Sequence, residues 1–144
     1  MTVNQILSTK GDTVYSIVST ISVYDAVKIM GEKNIGAILV IEDDLLKGIL
    51  SERDYARKIV LKGKSSKSTL VQEIMVSKVI TVKPTDDLDY CMELMSSNKI
   101  RHLPVVDENK VIGLISIGDV VKVIIEKQKE TIHLLDSYIN GGQV

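Results

Sequence analysis

An internal repeat runs through most of this 144-residue chain. A shift of 65 residues aligns residues 14–60 with residues 79–125 without a gap. Identical residues are a minority, but the hydrophobic positions coincide, and Gly48-Ile-Leu-Ser-Glu-Arg-Asp54 recurs as Gly113-Leu-Ile-Ser-Ile-Gly-Asp119. Repeated units preserve the pattern of burial more than residue identity. The chain is therefore predicted to fold as two copies of one structural unit.

Each copy has the hydrophobic spacing of a β-α-β-β-α unit. The predicted strands are 14–17, 37–41 and 46–50, then 79–82, 103–106 and 111–115; the predicted helices are 23–32 and 88–97, with second helices that begin at Ser51 and Ser116. The first helix of each copy is capped either by Ser19-Thr20 and Pro84-Thr85, or by Ser22 and Asp87. The last helix extends to about residue 138, and Gly141-Gly142 is its predicted stop.

These elements predict an α/β (α+β) protein in which two pseudo-symmetric halves pack through their sheets. The predicted boundaries are a first domain at 8–62, a polar linker with a short helix at 63–75, a second domain at 76–126, and a C-terminal helical extension at 127–144. A chain of this length buries enough surface to fold without disulfides or metals.

The composition argues against several classes of function. With 18 Lys and Arg against 19 Asp and Glu, bulk charge does not favour binding to nucleic acid. The single cysteine, Cys91, excludes an internal disulfide and a multi-cysteine zinc site. No apolar run approaches the roughly 20 residues that span a membrane, and the first residues do not resemble a signal peptide. We therefore expect a cytoplasmic protein.

The repeated Gly-x-x-Ser-x-x-Asp motif lies where a predicted strand gives way to a helix. Ser51 and Ser116 place a hydroxyl at the helix N-terminus, and Asp54 and Asp119 follow on the same side. Such a carboxylate can accept two hydroxyl hydrogen bonds, as from a ribose diol, while a phosphate lies near the serine. The same spacing also fits a capping box, although the third helical residue of a capping box is normally Glu or Gln. From the residues alone, both interpretations stay open.

A basic pair precedes one strand of the second copy. Arg101 and His102 suit contact with a phosphate, because arginine offers forked donors, but a solvated pair in a loop has the same sequence. Their counterparts in the first copy are Gly36 and Ala37. Arg53 adds charge beside Asp54, and its counterpart is Gly118. The two predicted sites therefore differ in charge, and the first suits a phosphate better.

No catalytic arrangement is visible. Gly63-Lys64-Ser65 resembles the end of a P-loop, but the required upstream glycine is Lys58. No nucleophile stands with a suitable base, and the two histidines are too few for a His-rich metal site. We predict that the protein is not an enzyme and requires no cofactor.

The chain resembles a tandem pair of CBS domains, also called a Bateman module, of the stand-alone bacterial and archaeal type. The resemblance rests on the paired β-α-β-β-α repeat, on Lys99-Ile-Arg-His-Leu-Pro-Val-Val-Asp107 and on Gly113-Leu-Ile-Ser-Ile-Gly-Asp119. It covers residues 10 to 125, and Gly48-Ile-Leu-Ser-Glu-Arg-Asp-Tyr55 and Leu135-Asp-Ser-Tyr-Ile-Asn-Gly141 extend it. Members of this family bind adenine nucleotides in two clefts between the domains.

The resemblance implies two sites crossed between the halves. In the first, Asp54 holds the ribose, Arg101 and His102 hold the phosphate, and isoleucines enclose the base; the implied set is Ser51, Arg53, Asp54, Ile80, Ile100, Arg101 and His102, with Ile49. The second set is Ser116, Gly118 and Asp119 with Tyr15, Ile35, Gly36 and Ala37. No phosphate-binding arginine is evident there, so that cleft is either empty or takes a less charged ligand. Tyr15 either stacks on a base or blocks the pocket.

The resemblance further implies a ligand sensor that dimerises through its helices and acts on an unidentified protein partner. AMP is the first choice among the adenine nucleotides, with ADP, ATP and NAD(H) as the others. The C-terminal segment with Ile124, Ile125, Ile132 and Leu135 fits either a partner surface or a cover for the core. The alternative function is a dimeric interaction scaffold whose clefts are vestigial. Neither a nucleic acid nor a membrane is an expected partner.

Overall fold

The computed structural model of the chain describes residues 1–140. In chain order the elements are α1 (Val3–Lys10), β1 (Ser16–Ile17), α2 (Val23–Lys33), β2 (Ala37–Glu42), β3 (Leu45–Ser51), α3 (Glu52–Tyr55) with a π-helical continuation (Ala56–Val60), α4 (Val71–Ile74), α5 (Leu88–Asn98), β4 (His102–Asp107), β5 (Lys110–Ser116) and α6 (Ile117–Ile139). The β-α-β-β-α order is confirmed for the first half. The predicted helix stop at Gly141-Gly142 lies outside the described residues.

The two halves repeat the same hairpin in the same register. β2 pairs with β3 and β4 with β5, both antiparallel, and each ladder shifts register at equivalent positions, Val40/Ile41 and Val105/Val106. Each hairpin closes through two residues with positive φ, Asp43-Asp44 and Glu108-Asn109. Two-residue turns of this kind match the twist of the flanking strands, and short acidic or amide side chains tolerate the left-handed conformation better than most.

The predicted strand at 79–82 is wrong in extent. In the first half β1 joins the sheet parallel to β2, in the order β1-β2-β3. In the second half the equivalent segment makes only a single bridge, between Val82 and Val105. Val79 and Ile80 line a cavity instead, so the apolar residues that indicated a strand serve a binding surface.

The first helix of each half begins and ends at equivalent residues. Ser22 and Asp87 are the N-caps, and each accepts a hydrogen bond from a backbone amide three residues on. Both helices end at a residue in the left-handed conformation, Asn34 and Lys99. Ser19, the other candidate cap, instead donates to the carboxylate of Glu42 at 3.1 Å.

The short helices are exchanged between the halves. α1 precedes the first half but packs into the core of the second through Val3, Ile6 and Leu7, and α4 packs into the core of the first. The Val3 amide donates to the Asp86 carbonyl at 2.8 Å, just as the Val71 amide donates to the Ile21 carbonyl at 2.9 Å. Each core is therefore completed by a segment that lies outside its own repeat.

The halves meet along β3 and β5, which contact each other, and the predicted packing through the sheets is confirmed. Glycines allow the exchanged segments to approach these strands. A Cβ at Gly48 would lie 2.7 Å from Met75 Sδ, and one at Gly113 would lie 2.7 Å from Leu7 Cδ2. Within residues 1–140, no helix combines the length and the apolar character that crossing a membrane requires. The cytoplasmic location stays a prediction.

Candidate functional site

A cleft of about 490 Å³ lies between the halves. We call it the first cleft, and it is lined by Gly36, Ile49, Ser51, Glu52, Arg53 and Asp54 on one side, and by Val76, Lys78, Val79, Ile80, Ile100, Arg101 and His102 on the other. Its volume falls in the range of small-molecule sites, roughly 300–1,000 Å³. All seven residues of the first predicted set line it.

Ser51 and Asp54 form a capping box at the start of α3. The Asp54 amide donates to Ser51 Oγ at 3.1 Å, and the Ser51 amide and hydroxyl both donate to Asp54 Oδ2 at 3.0 Å. The other carboxylate oxygen, Oδ1, lies 3.2 Å from the half-exposed ammonium of Lys58, one turn on. The capping interpretation is thus correct, and the same aspartate also borders the first cleft.

Cationic side chains surround the first cleft. Arg53 crosses the interface and donates from Nη2 to the Lys99 carbonyl at 2.7 Å, while Arg101 is exposed at the rim. Burial lowers the pKa of His102, and the nearby positive charge of Lys10 lowers it further; Asp119 opposes this shift, and Arg101 and Arg53 add to it. His102 is therefore a neutral imidazole at pH 7 and offers one donor and one acceptor.

Apolar side chains from both halves also line the first cleft. Ile49 comes from the first half, and Val79, Ile80 and Ile100 come from the second. Glu52, Val76, Lys78 and Val79 were not predicted as site residues. The last three follow α4, and the packing of α4 into the first core brings this segment to the cleft.

The second-half members of the second predicted set lie at the start of α6. Ser116 and Asp119 form a second capping box, with the Ser116 amide 2.8 Å from Asp119 Oδ2. Lys10 Nζ lies 2.6 Å from the same oxygen. We call the region beside these residues the second cleft. Gly118 lies at the start of α6, and the position of a Cβ there is 3.6 Å from Ser116 Oγ.

The first-half members of that set lie beside β1 and at the start of β2. Gly36 lines the first cleft, where a Cβ would lie 3.6 Å from the imidazole of His102. Ala37 is buried at the start of β2, and Ile35 packs against the core of the first half. Tyr15 lies under the ammonium of Lys33, 5.2 Å from the ring centroid, and so pairs within its own half.

Metal chemistry has no evident site in the part of the chain that the structure describes. Among residues 1–140, no three His, Cys, Asp or Glu side chains are grouped so that they could hold a metal ion. Cys91 is buried in the second core, where burial and then Asp86 and Asp87 raise the pKa of its thiol to about 11. A thiol held protonated in this way is a poor nucleophile.

Comparisons with known proteins agree with this architecture. The CBS domain model matches residues 4–61 and again residues 71–126. The CBS domain-containing protein CBSX3, mitochondrial, of Arabidopsis thaliana is 47% identical over 126 residues, which is 84% of this chain and 61% of that relative. The chain thus spans less than two thirds of this relative's length.

Two solved structures show the same fold. A protein with CBS domains from Burkholderia ambifaria MC40-6 is 53% identical with a TM-score of 0.85, covering 89% of this chain and 96% of that one. The CBS domain pair of protein MJ0100, in complex with 5′-methylthioadenosine and S-adenosyl-L-methionine, is 27% identical with a TM-score of 0.78, covering 88% and 98%. With two matches of the family model over most of its length, this chain belongs to the CBS domain family as a tandem pair.

Proposed function

We propose that this protein is a non-enzymatic regulatory module that binds an adenine nucleotide in the first cleft. One observation carries the proposal: a carboxylate, an apolar slot and a cluster of cations converge on one cavity that both halves build. Adenine nucleotides carry a diol, a flat base and an anionic group, which match these three features.

The pose follows from the chemistry of the walls. The ribose hydroxyls donate to the carboxylate of Asp54 and displace the half-exposed ammonium of Lys58 from Oδ1. The base enters the slot between Ile49 and Ile80, and the 5′-phosphate lies among Arg53, Arg101 and the neutral His102. Arginine binds phosphate through charge-assisted hydrogen bonds that are stronger than neutral ones. The MJ0100 pair, which holds two adenosine-containing ligands, supports the adenosine part of this pose.

AMP is the proposed ligand, because the cations of the first cleft favour a phosphate over an uncharged 5′ group. Arg53, Lys78 and Arg101 outnumber the two lining carboxylates of Glu52 and Asp54. ADP, ATP and NAD(H) share the same features and are the competing ligands. Since the ligand contacts both halves, binding favours one relative orientation of the two and can pass that change on.

The proposed output is a change in a homodimer or in a protein partner. α6 carries exposed apolar side chains along its length, including Val121, Ile125, Ile132 and Leu135. A long helix with such a stripe gains by packing against another chain. We propose that the helices form the dimer contact.

A scaffold with vestigial clefts is the second candidate, and one observation favours it. Both Asp54 and Asp119 are already satisfied within the protein by a serine and a lysine, so neither carboxylate needs a ligand.

Calorimetric titration with AMP, ADP, ATP, NAD, NADH and S-adenosylmethionine tests the proposal, with D54A as the variant and D119A as its matched control. Both substitutions remove the third helical residue of a capping box of the same geometry, together with a lysine ion pair, so both are expected to lower stability. Only D54A is expected to abolish AMP binding. R101A is expected to weaken AMP and leave adenosine unchanged.

Three results would count against the proposal. The absence of binding by any nucleotide at millimolar concentration would favour the scaffold. Loss of AMP binding in D119A but not in D54A would place the site elsewhere. Conversion of a nucleotide to product during the titration would contradict the non-enzymatic role.

A further inference from the structure

The regions around Asp54 and Asp119 are related by pseudo-symmetry, but the exchanged helices meet them differently. In the first, the chain leaves α4 and runs extended, so that Val76 pairs with Ile49: each amide donates to the other carbonyl, at 2.9 and 3.0 Å. In the second, α1 continues for another turn, to Lys10, and makes no such bridge. The Lys10 ammonium instead donates to the carbonyl of Leu114, the residue equivalent to Ile49.

The same ammonium holds the aspartate of the second cleft. Lys10 Nζ lies 2.6 Å from Asp119 Oδ2, and the two side chains are only 28% and 23% exposed. Burial by itself raises the pKa of Asp119, but the hydrogen bonds from Lys10 and Ser116 outweigh it and hold the pKa below its usual value. The Asp119 carboxylate is therefore ionised at pH 7, and the Lys10 ammonium balances its charge without a ligand.

The ion pair in the first cleft is arranged differently. Lys58 belongs to the same helical segment as Asp54, and the two side chains are 41% and 14% exposed. The Lys58 ammonium also donates to the Ile74 carbonyl at 2.8 Å. Asp54 nonetheless lines the first cleft. The exchanged helices align from Val3 and Val71, which make equivalent hydrogen bonds. Counted from these residues, Lys10 corresponds to Lys78, and Lys78 lines the first cleft. The two equivalent lysines therefore have different surroundings. Lys78 lines the first cleft, whereas Lys10 forms an ion pair with Asp119.

We propose that Lys10 closes the second cleft by occupying the position at Asp119 where a ribose would bind, so that each chain binds one nucleotide, in the first cleft. The inference rests on the proposed function for the site of that one nucleotide. A ligand in the second cleft has to break both hydrogen bonds of Lys10, and the residues equivalent to Arg101 and Arg53 are the uncharged Gly36 and Gly118. Lys10 is then the residue that sets the stoichiometry.

The test is the number of ligands bound per chain, measured by calorimetry with AMP and separately with adenosine. The proteins are the unchanged chain, K10A, K10A/D119A, and K47A as a control that removes an exposed lysine on β3. Alanine is a good helix former, so K10A preserves α1. We expect one AMP for the unchanged chain and K47A, two ligands for K10A, and one again for K10A/D119A. The added site should bind adenosine within a few-fold of AMP, because no arginine stands at the equivalent positions.

Each outcome separates this inference from the proposed function. Two ligands on the unchanged chain would refute the closure by Lys10 and leave nucleotide binding intact. One ligand on K10A but none on the unchanged chain would support the closure and refute binding in the first cleft. One ligand on the unchanged chain and one on K10A would refute the closure. A second ligand that binds K10A and still binds K10A/D119A would also refute it. No binding to any of the four proteins would refute both.

Discussion

Replacing Gly48 by alanine tests the exchange of α4 that builds the first cleft. The new Cβ would lie 2.7 Å from Met75 Sδ, 3.1 Å from Met75 Cγ and 2.9 Å from the Val76 carbonyl oxygen. The methionine side chain can rotate, but the Val76 carbonyl is held by its hydrogen bond from Ile49 at 3.0 Å. The alanine therefore pushes the cleft wall away from β3.

The size of the effect follows from two opposing contributions. Overpacking of this kind costs about 1–3 kcal/mol. Gly→Ala also restricts the unfolded chain and returns about 0.4–1 kcal/mol. The central values leave a net loss of about 1 kcal/mol, which lowers the melting temperature by roughly 2–4 °C for a chain of about 150 residues. Since Val76 and Lys78 line the first cleft, we also expect weaker AMP binding.

Two other glycines provide matched controls. At Gly113 the three atoms nearest to the new Cβ all belong to the branched end of Leu7, at 2.7, 2.8 and 3.3 Å, so G113A should cost less than G48A. At Gly31, an exposed residue of α2, nothing lies within 4 Å of the new Cβ, and G31A should stabilise by up to about 1 kcal/mol.

The assay is thermal unfolding followed by far-ultraviolet circular dichroism, because the chain has no tryptophan. The expected order of melting temperatures is G31A, the unchanged chain, G113A, then G48A. The reasoning would be refuted by a G48A protein that melts at or above the unchanged chain, or by a greater loss in G113A than in G48A.

Three further predictions concern titratable groups. The pKa of His102 is lowered by burial, and bound AMP should raise it, so the ring-proton NMR titration should move to higher pH; an unmoved titration would place the phosphate elsewhere. The pKa of Asp119 in the folded protein is below its usual value, so the unfolded chain takes up the proton first as the pH falls. The free energy of unfolding should therefore decrease at pH values below about 4. Urea unfolding of D119N should lack this part of the decrease, and a pH profile identical to that of the unchanged chain would contradict the Lys10 pair. The thiol of Cys91, with its pKa raised to about 11, should react with a thiol reagent at pH 8 only after unfolding; rapid labelling of the native protein would contradict its burial.

The elements that depend on local interactions could be predicted from the sequence. The predicted helix at 88–97 is observed as Leu88–Asn98, and the predicted strands at 37–41 and 46–50 are observed as Ala37–Glu42 and Leu45–Ser51. In these segments the apolar residues recur at helix or strand spacing along the whole element, and turn or cap residues lie at both ends. The Ser51 and Ser116 caps belong to the same class, because their partners are three residues away.

Two elements were missed or misjudged because their environment is not local. α1 has few apolar residues, and these become buried only when the helix packs on the second half. Val79 and Ile80 have the pattern of a strand, but they face the first cleft, and only Val82 pairs with a neighbour. Hydrophobic spacing does not distinguish a side chain that faces a core from one that faces a cavity.

The sequence by itself determined the repeat, the unit that is repeated, the caps and the asymmetry of charge between the two sites. The tertiary structure alone decided that α1 and α4 exchange halves, that Lys78 reaches the first cleft, and that Lys10 reaches Asp119, 109 residues away in the chain. The physical reason is distance along the chain. Periodicity, turns and caps are set by neighbours within a few residues, whereas a contact between distant side chains exists only after the cores have packed.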